Sequence, residues 1–150
     1  MNGLKTSLKV GLRILELLSR AEGHPLTVRE MAVRLEQSEK YLEQLLLPLR
    51  RARIVTSVRG PHGGYLLARP AAYITLLEIV QLLQGPVTFC ECPSRDCKEC
   101  LSPPIWQALE SCVEASMVNV SLADVLAGHT PDIPGKIALG PNWVEGGLGI

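Results

Sequence analysis

Four cysteines crowd into eleven positions: Cys90, Cys92, Cys97 and Cys100, in the pattern Cys-x-Cys-x4-Cys-x2-Cys. A fifth, Cys112, stands apart. An odd number crowded in this way fits a disulfide framework poorly and suits metal or redox chemistry better. Converging soft thiolates are the ligands a thiophilic ion or an iron-sulfur core requires. Zinc is the alternative, because a tetrahedral site of four thiolates needs only these donors, although zinc ribbons space two pairs about 15 to 20 residues apart. A metal-free thiol switch is the third reading. Cys112 falls within the apolar stripe of a predicted helix, where an unpaired cysteine is read as a small buried hydrophobe.

The cations are the second group able to do chemistry. Net charge over the 150 residues is zero, but residues 1–70 hold twelve Lys and Arg against six Asp and Glu, and residues 71–150 hold three against nine. A surplus of six positive charges on one segment is the electrostatic footprint that phosphate contacts need. An enzyme is not expected, since a thiol nucleophile needs a base and an orienting group and no constellation here supplies them. Lys5, Lys9, Arg13 and Glu16 interrupt the early apolar residues before a signal or membrane-length run can build. A cytoplasmic location with no membrane partner is therefore expected.

These groups need elements to position them, and a chain with 47% hydrophobic residues has enough for one compact domain plus an appendage. Apolar residues at helical spacing mark a first helix from Ser7 to Ser19. Thr27 and Glu30 form a capping box, with Val28, Met31, Ala32 and Leu35 as one buried face of a second. After a polar break at Glu36 and Gln37, Ser38 caps a third helix striped by Leu42, Leu45, Leu46 and Leu49. Pro48 predicts a kink or a loosened last turn there. Strands are expected over Ile54 to Val58 and Tyr65 to Ala68, joined by Arg59-Gly60-Pro61-His62-Gly63-Gly64. Thr75 and Glu78 make a second capping box, with Ile74 and Ile79 as a staple, for a helix ending at Gly85-Pro86. The cysteine loop runs from Val87 to Ser102. Beyond Pro103 and Pro104, Ile105, Leu109, Cys112, Val113, Met117 and Val120 stripe a long helix expected to meet a partner chain, and a short helix follows over Ser121 to Leu126.

The fold class expected is mainly α with a small β-hairpin: a winged helix-turn-helix plus a long dimerisation helix. The divisions are 1–85 for the DNA-binding domain, 86–102 for the cysteine loop, 103–127 for the dimerisation and short terminal helices, and 128–150 for an irregular or disordered tail. In helix-turn-helix docking the start of the third helix reaches base edges in the major groove, and the exposed positions expected there are Glu39, Lys40, Tyr41, Glu43 and Gln44. Ser38 and Tyr41 are also candidates for phosphate. Glu43 can accept from a cytosine amine while repelling phosphate, or be a solvated helix charge. Arg59 suits minor-groove insertion, and Gly60, Gly63 and Gly64 allow close approach and positive φ at the wing, with His62 at its tip. Arg50, with Arg51 and Arg53, is assigned to backbone phosphate or solvent. Trp106 is read as a packing residue.

The run SEKYLEQLLLPLRRARIVTSVRGPHGGYLLARP resembles the Rrf-two family of bacterial regulators. The motif YLEQLL, the wing VRG-xx-GGY and the following ITLLEIVQLLQG carry the resemblance. It extends to Cys100-Leu101, Ile105-Trp106 and Ser121-Leu122-Ala123-Asp124, so that it covers about residues 4 to 126. The resemblance implies a homodimer, a winged-helix fold and, in many members, a cluster held by three cysteines of this loop. It thus implies a regulator, read as a repressor, whose binding to double-stranded promoter DNA responds to an iron-sulfur cluster. Zinc is the alternative cofactor, and an iron-sulfur electron carrier would leave the helix-turn-helix unexplained. Members space their cysteines more widely, and Pro103 stands where some carry a histidine ligand. Cys100 aligns with the last family cysteine, while Cys90, Cys92 and Cys97 join the ligand set by proximity, leaving the cluster type open.

Overall fold

The computed structural model describes residues 4–89 and 103–129. Six α-helices and a two-stranded antiparallel hairpin are found among them: α1 (Thr6–Arg20), α2 (Val28–Leu35), α3 (Glu39–Arg51), β1 (Val55–Val58), β2 (Gly64–Leu67), α4 (Leu76–Leu83), α5 (Pro103–Val118) and α6 (Leu122–Ala127). The expected class, mainly α with a small hairpin and a winged helix-turn-helix, is what the chain adopts.

Each helix of the first half starts where local chemistry permits. At α2 the Thr27 hydroxyl accepts from the Glu30 amide, and the Glu30 carboxylate accepts in return from the Thr27 amide at 2.8 Å. This reciprocal pairing satisfies amide groups that have no partner inside the helix. At α3 the Ser38 hydroxyl accepts from the Tyr41 amide at 3.2 Å. Glu36, in left-handed conformation at φ 53, turns the chain between the two helices. Its successor Gln37 donates its amide to the Ala32 carbonyl at 3.1 Å and closes the end of α2. Helix α3 runs through Pro48 to Arg51, although proline withholds one backbone donor and costs roughly 3 kcal/mol in a helix interior. Its close uses Arg53 at φ 56, with the Ile54 amide reaching back to the Leu49 carbonyl at 2.9 Å.

The hairpin pairs Val55 with Leu67, Thr56 with Leu66, Ser57 with Tyr65 and Val58 with Gly64. Sequence periodicity does not reveal its third participant. Leu26, just ahead of α2, exchanges both backbone hydrogen bonds with Tyr65, at 2.9 and 2.7 Å. Gly64 makes this approach possible, since a Cβ there would lie 2.6 Å from the Leu26 carbonyl carbon. The wing is thereby stitched to the start of the helix-turn-helix.

Leu8, Ile14, Leu15, Met31, Leu42, Leu46, Leu49, Ile54, Ile74, Ile79 and Leu122 form the centre of one apolar core. Gly11 lets α4 settle against α1, because a Cβ at that position would run into the Leu83 side chain. The Ser7 hydroxyl and Lys5 ammonium donate to the Leu83 and Gln84 carbonyls, at 2.8 and 2.9 Å, and satisfy the end of α4. Helix α6 joins the same core through Leu122. Its start is tied to the start of α4 by an antiparallel bridge, Leu76 amide to Val120 carbonyl and Leu122 amide to Ile74 carbonyl, both 2.8 Å.

Candidate nucleic-acid interface and cysteine loop

Burial of Leu42, Leu45, Leu46 and Leu49 fixes which side of α3 faces the core. The opposite side is then set by helical geometry, and it carries Glu39, Lys40, Glu43, Gln44, Leu47, Arg50 and Arg51, all exposed. Tyr41 departs from expectation. Expected among the exposed positions, it is half-buried, its ring packed against the core, because it lies one turn ahead of Leu45 on the inner edge of the helix. Ser38 spends its hydroxyl as a cap acceptor, and that leaves its O–H proton free to donate outward.

At the wing, Arg59, Gly60, Pro61 and His62 are exposed and Gly63 is half-buried. The turn closes with the Gly63 amide donating to the Gly60 carbonyl at 2.9 Å. Gly60 takes φ +118, a conformation other residues resist. Gly63 does not share the positive φ expected for it. Its requirement is space, since a Cβ there would meet the Val58 and Gly60 carbonyl oxygens. Among the described residues Lys40, Arg50, Arg51, Arg53 and Arg59 enter no ion pair. Their charges are therefore uncompensated at contact distance and available to an external anion.

Arg13 and Arg20 of this half pair with Glu16 on their own helix; a third arginine is committed to a different element, and nothing in its sequence spacing announced it. Arg69, directly after β2, donates to the Tyr73 carbonyl and to Glu78 Oε1, both at 2.6 Å. Glu78 also accepts from the Thr75 amide at 2.9 Å as the carboxylate partner of the α4 capping box. Partial burial by itself would raise the Glu78 pKa, but the Thr75 amide, the Arg69 guanidinium and the Thr75 hydroxyl outweigh it and hold the carboxyl below its ordinary value. Glu30 and Asp124 are lowered likewise, Glu30 first by the Thr27 amide and Asp124 first by the Ser121 hydroxyl.

Cys90, Cys92, Cys97 and Cys100 lie outside the described residues. The stem that leads into them is held by Glu110 of α5, whose carboxylate accepts from the Phe89 amide at 2.6 Å. Cys112 corrects the packing expectation: it is exposed. The stripe to which it belongs is buried at its far end, where Val120 and Met117 meet the core, while Val113 is half-buried and Ile105 and Leu109 stand exposed, and Trp106 beside them is 39% exposed. No helix among the described residues is long and apolar enough to cross a membrane.

A capped helix-turn-helix stitched to a glycine-closed hairpin, with exposed basic side chains on α3 and at the wing, defines a winged-helix transcriptional regulator. The chain belongs to the Rrf2 family, described as Iron-dependent Transcriptional regulator, which it matches over residues 4–128. It is 36% identical to an HTH-type transcriptional regulator of Azotobacter vinelandii over 118 residues, 76% of this chain and 72% of that one. To the HTH-type regulator IscR of Escherichia coli it is 30% identical over 135 residues, 81% of this chain and 83% of that one. Among solved structures it is similar to CymR, the global cysteine regulator of Bacillus subtilis, with a TM-score of 0.70 and 30% identity, covering 87% of this chain and all of the other. These relatives are transcriptional regulators, not enzymes.

Proposed function

We propose that this regulator binds operator DNA as a homodimer through α3 and the wing, and that a metal centre held by Cys90, Cys92, Cys97 and Cys100 controls its occupancy of promoters. The observation that carries the DNA-binding part is the set of exposed, unpaired cations on α3, directly after it and at the wing. In this reading Lys40, Glu43 and Gln44 address base edges, with Glu39 beside them at the helix start. Ser38, Tyr41 and Arg50 meet phosphate, Tyr41 through its hydroxyl from a ring anchored in the core. Arg59 enters the minor groove from a wing whose backbone at Gly60 and Gly63 lies close to the sugar-phosphate chain, with His62 at the tip.

The donor set supports the metal part. Four cysteines within eleven positions fit an iron-sulfur centre, and the family's description as iron-dependent points the same way. When bound, such a centre supplies a group whose oxidation or loss changes both charge and loop ligation. The chain's own contribution is the connection outward. Glu110 ties the loop stem to α5, and the bridge between Val120–Leu122 and Ile74–Leu76 ties the end of α5 to α4 and the core.

Two measurements on protein purified without oxygen test this reading. Visible absorption with iron, sulfide and zinc analysis is expected to give charge-transfer bands and matched iron and sulfide; a colourless protein with stoichiometric zinc would make the loop structural. Duplex binding followed across salt is expected to weaken linearly in log–log form, and the slope should fall by about 1 per protomer in Arg50→Ala. Joint replacement of Cys92, Cys97 and Cys100 by serine is expected to abolish the metal and change DNA affinity. Unchanged metal content and affinity would refute the sensor.

A further inference from the structure

The outward face of α3 contains one residue that the polar description of that face leaves out. Leu47 is 41% exposed and is the one large apolar side chain of α3, among the described residues, left to solvent. Helical geometry puts it between Glu43 and Gln44 in angle and about 5 Å further along the helix axis. Its surface neighbours three and four residues away are Glu43, Gln44, Arg50 and Arg51, all exposed. No core residue needs it there.

The next position breaks a second local rule. Pro48 sits inside the helix, where it supplies no amide to the Gln44 carbonyl and restricts Leu47 itself. The exposed leucine and the mid-helix proline, which is half-buried and about 100° round the helix from it, are two locally unfavourable choices at consecutive positions. Local choices that oppose folding without a packing gain point to function. An apolar side chain at a major-groove edge has one specific complement, the thymine C5-methyl, which the other bases lack.

We infer that Leu47 is a specificity-determining residue that reads a thymine methyl in each half-site, beyond the bases addressed by Glu43 and Gln44. This rests on the DNA-binding reading above, and the following experiment separates the two. The full chain is first used to select duplexes from a random library, and affinity is then measured on the selected operator. A second operator carries uracil at each thymine in turn, which deletes only the methyl group. The wild type is expected to lose about fourfold per half-site at one thymine position, the size of one lost methyl contact. Leu47→Ala, which sits on an exposed position and favours helix, is expected to bind the thymine operator correspondingly less tightly and to be indifferent to uracil there. Selection with this variant should lose the thymine preference at the same position.

Equal sensitivity of wild type and Leu47→Ala to every uracil, or indifference of both, would overturn the role of Leu47 while leaving operator binding intact. Failure of the wild type to enrich any sequence, with no salt-dependent binding to duplex, would overturn the DNA-binding reading and this inference with it.

Discussion

At the scale of single residues, the sharpest demands in this protein are made by backbone approaching backbone. Gly64 faces the Leu26 carbonyl at a distance that leaves no room for a side chain, and neither partner is a flexible group able to move aside. Gly64→Ala is expected to cost about 2 kcal/mol, typical of overpacking, and to free the wing from Leu26. Chemical denaturation measures the first and amide exchange at Tyr65 the second. Gly60→Ala, with open space around its Cβ, should cost only the strain of its backbone, about 1 kcal/mol. Equal losses in the two variants would mean that the Leu26 contact is not what Gly64 serves. Glycine at these positions was legible as a wing signal, but which glycine needs φ and which needs space was not. Tyr41 and Cys112 teach the same lesson in opposite directions. Helical periodicity places a residue on a face, yet whether the edge of that face is covered depends on neighbours far away in the chain.

At the scale of elements, the starts of α2, α3, α4 and α6 were readable because capping is local: an acceptor side chain and a helix amide lie within three residues of each other. The α4 box is joined to the wing by Arg69, a contact across nine residues that no local pattern encodes. Because the folded-state pKa of Glu78 is lowered, its contribution to stability is complete above the unfolded value of about 4.3 and is lost as pH falls through the folded one. Glu78→Gln is therefore expected to be less stable than wild type at pH 7 by roughly 1 kcal/mol, a modest figure because the Arg69 pair is part-exposed and screened by solvent. The gap should be narrower in denaturation curves taken near pH 3 than at pH 7, because protonation of the wild-type carboxylate is further advanced there. A gap of the same size at both values would show that shape, not charge, is what Glu78 contributes. The hairpin strands were also legible from their β-branched and aromatic residues. The pairing of Leu26 with Tyr65 was not, since one residue in an extended conformation has no periodicity.

At the scale of the whole molecule, α5 carries its apolar stripe away from the core at one end and into it at the other. Ile105 and Leu109 stand exposed in the single chain, an arrangement that suits coverage by a second copy. If the proposed homodimer forms through α5, Leu109→Asp is expected to shift it toward monomer in sedimentation analysis and to weaken operator binding, while leaving Leu122 and the core folded. A variant as dimeric as wild type would remove α5 from the interface. The sequence by itself determined the helices, their caps, the hairpin, the basic half of the chain and the thiolate cluster, because each is written in residues only a few positions apart. Tertiary structure alone decided that Leu26 completes the wing, that Arg69 serves Glu78 instead of an external anion, that Glu110 holds the loop stem, and that Leu47 stays in solvent. Each of these depends on distant segments meeting, and burial of one shared core, not local spacing, brings them together.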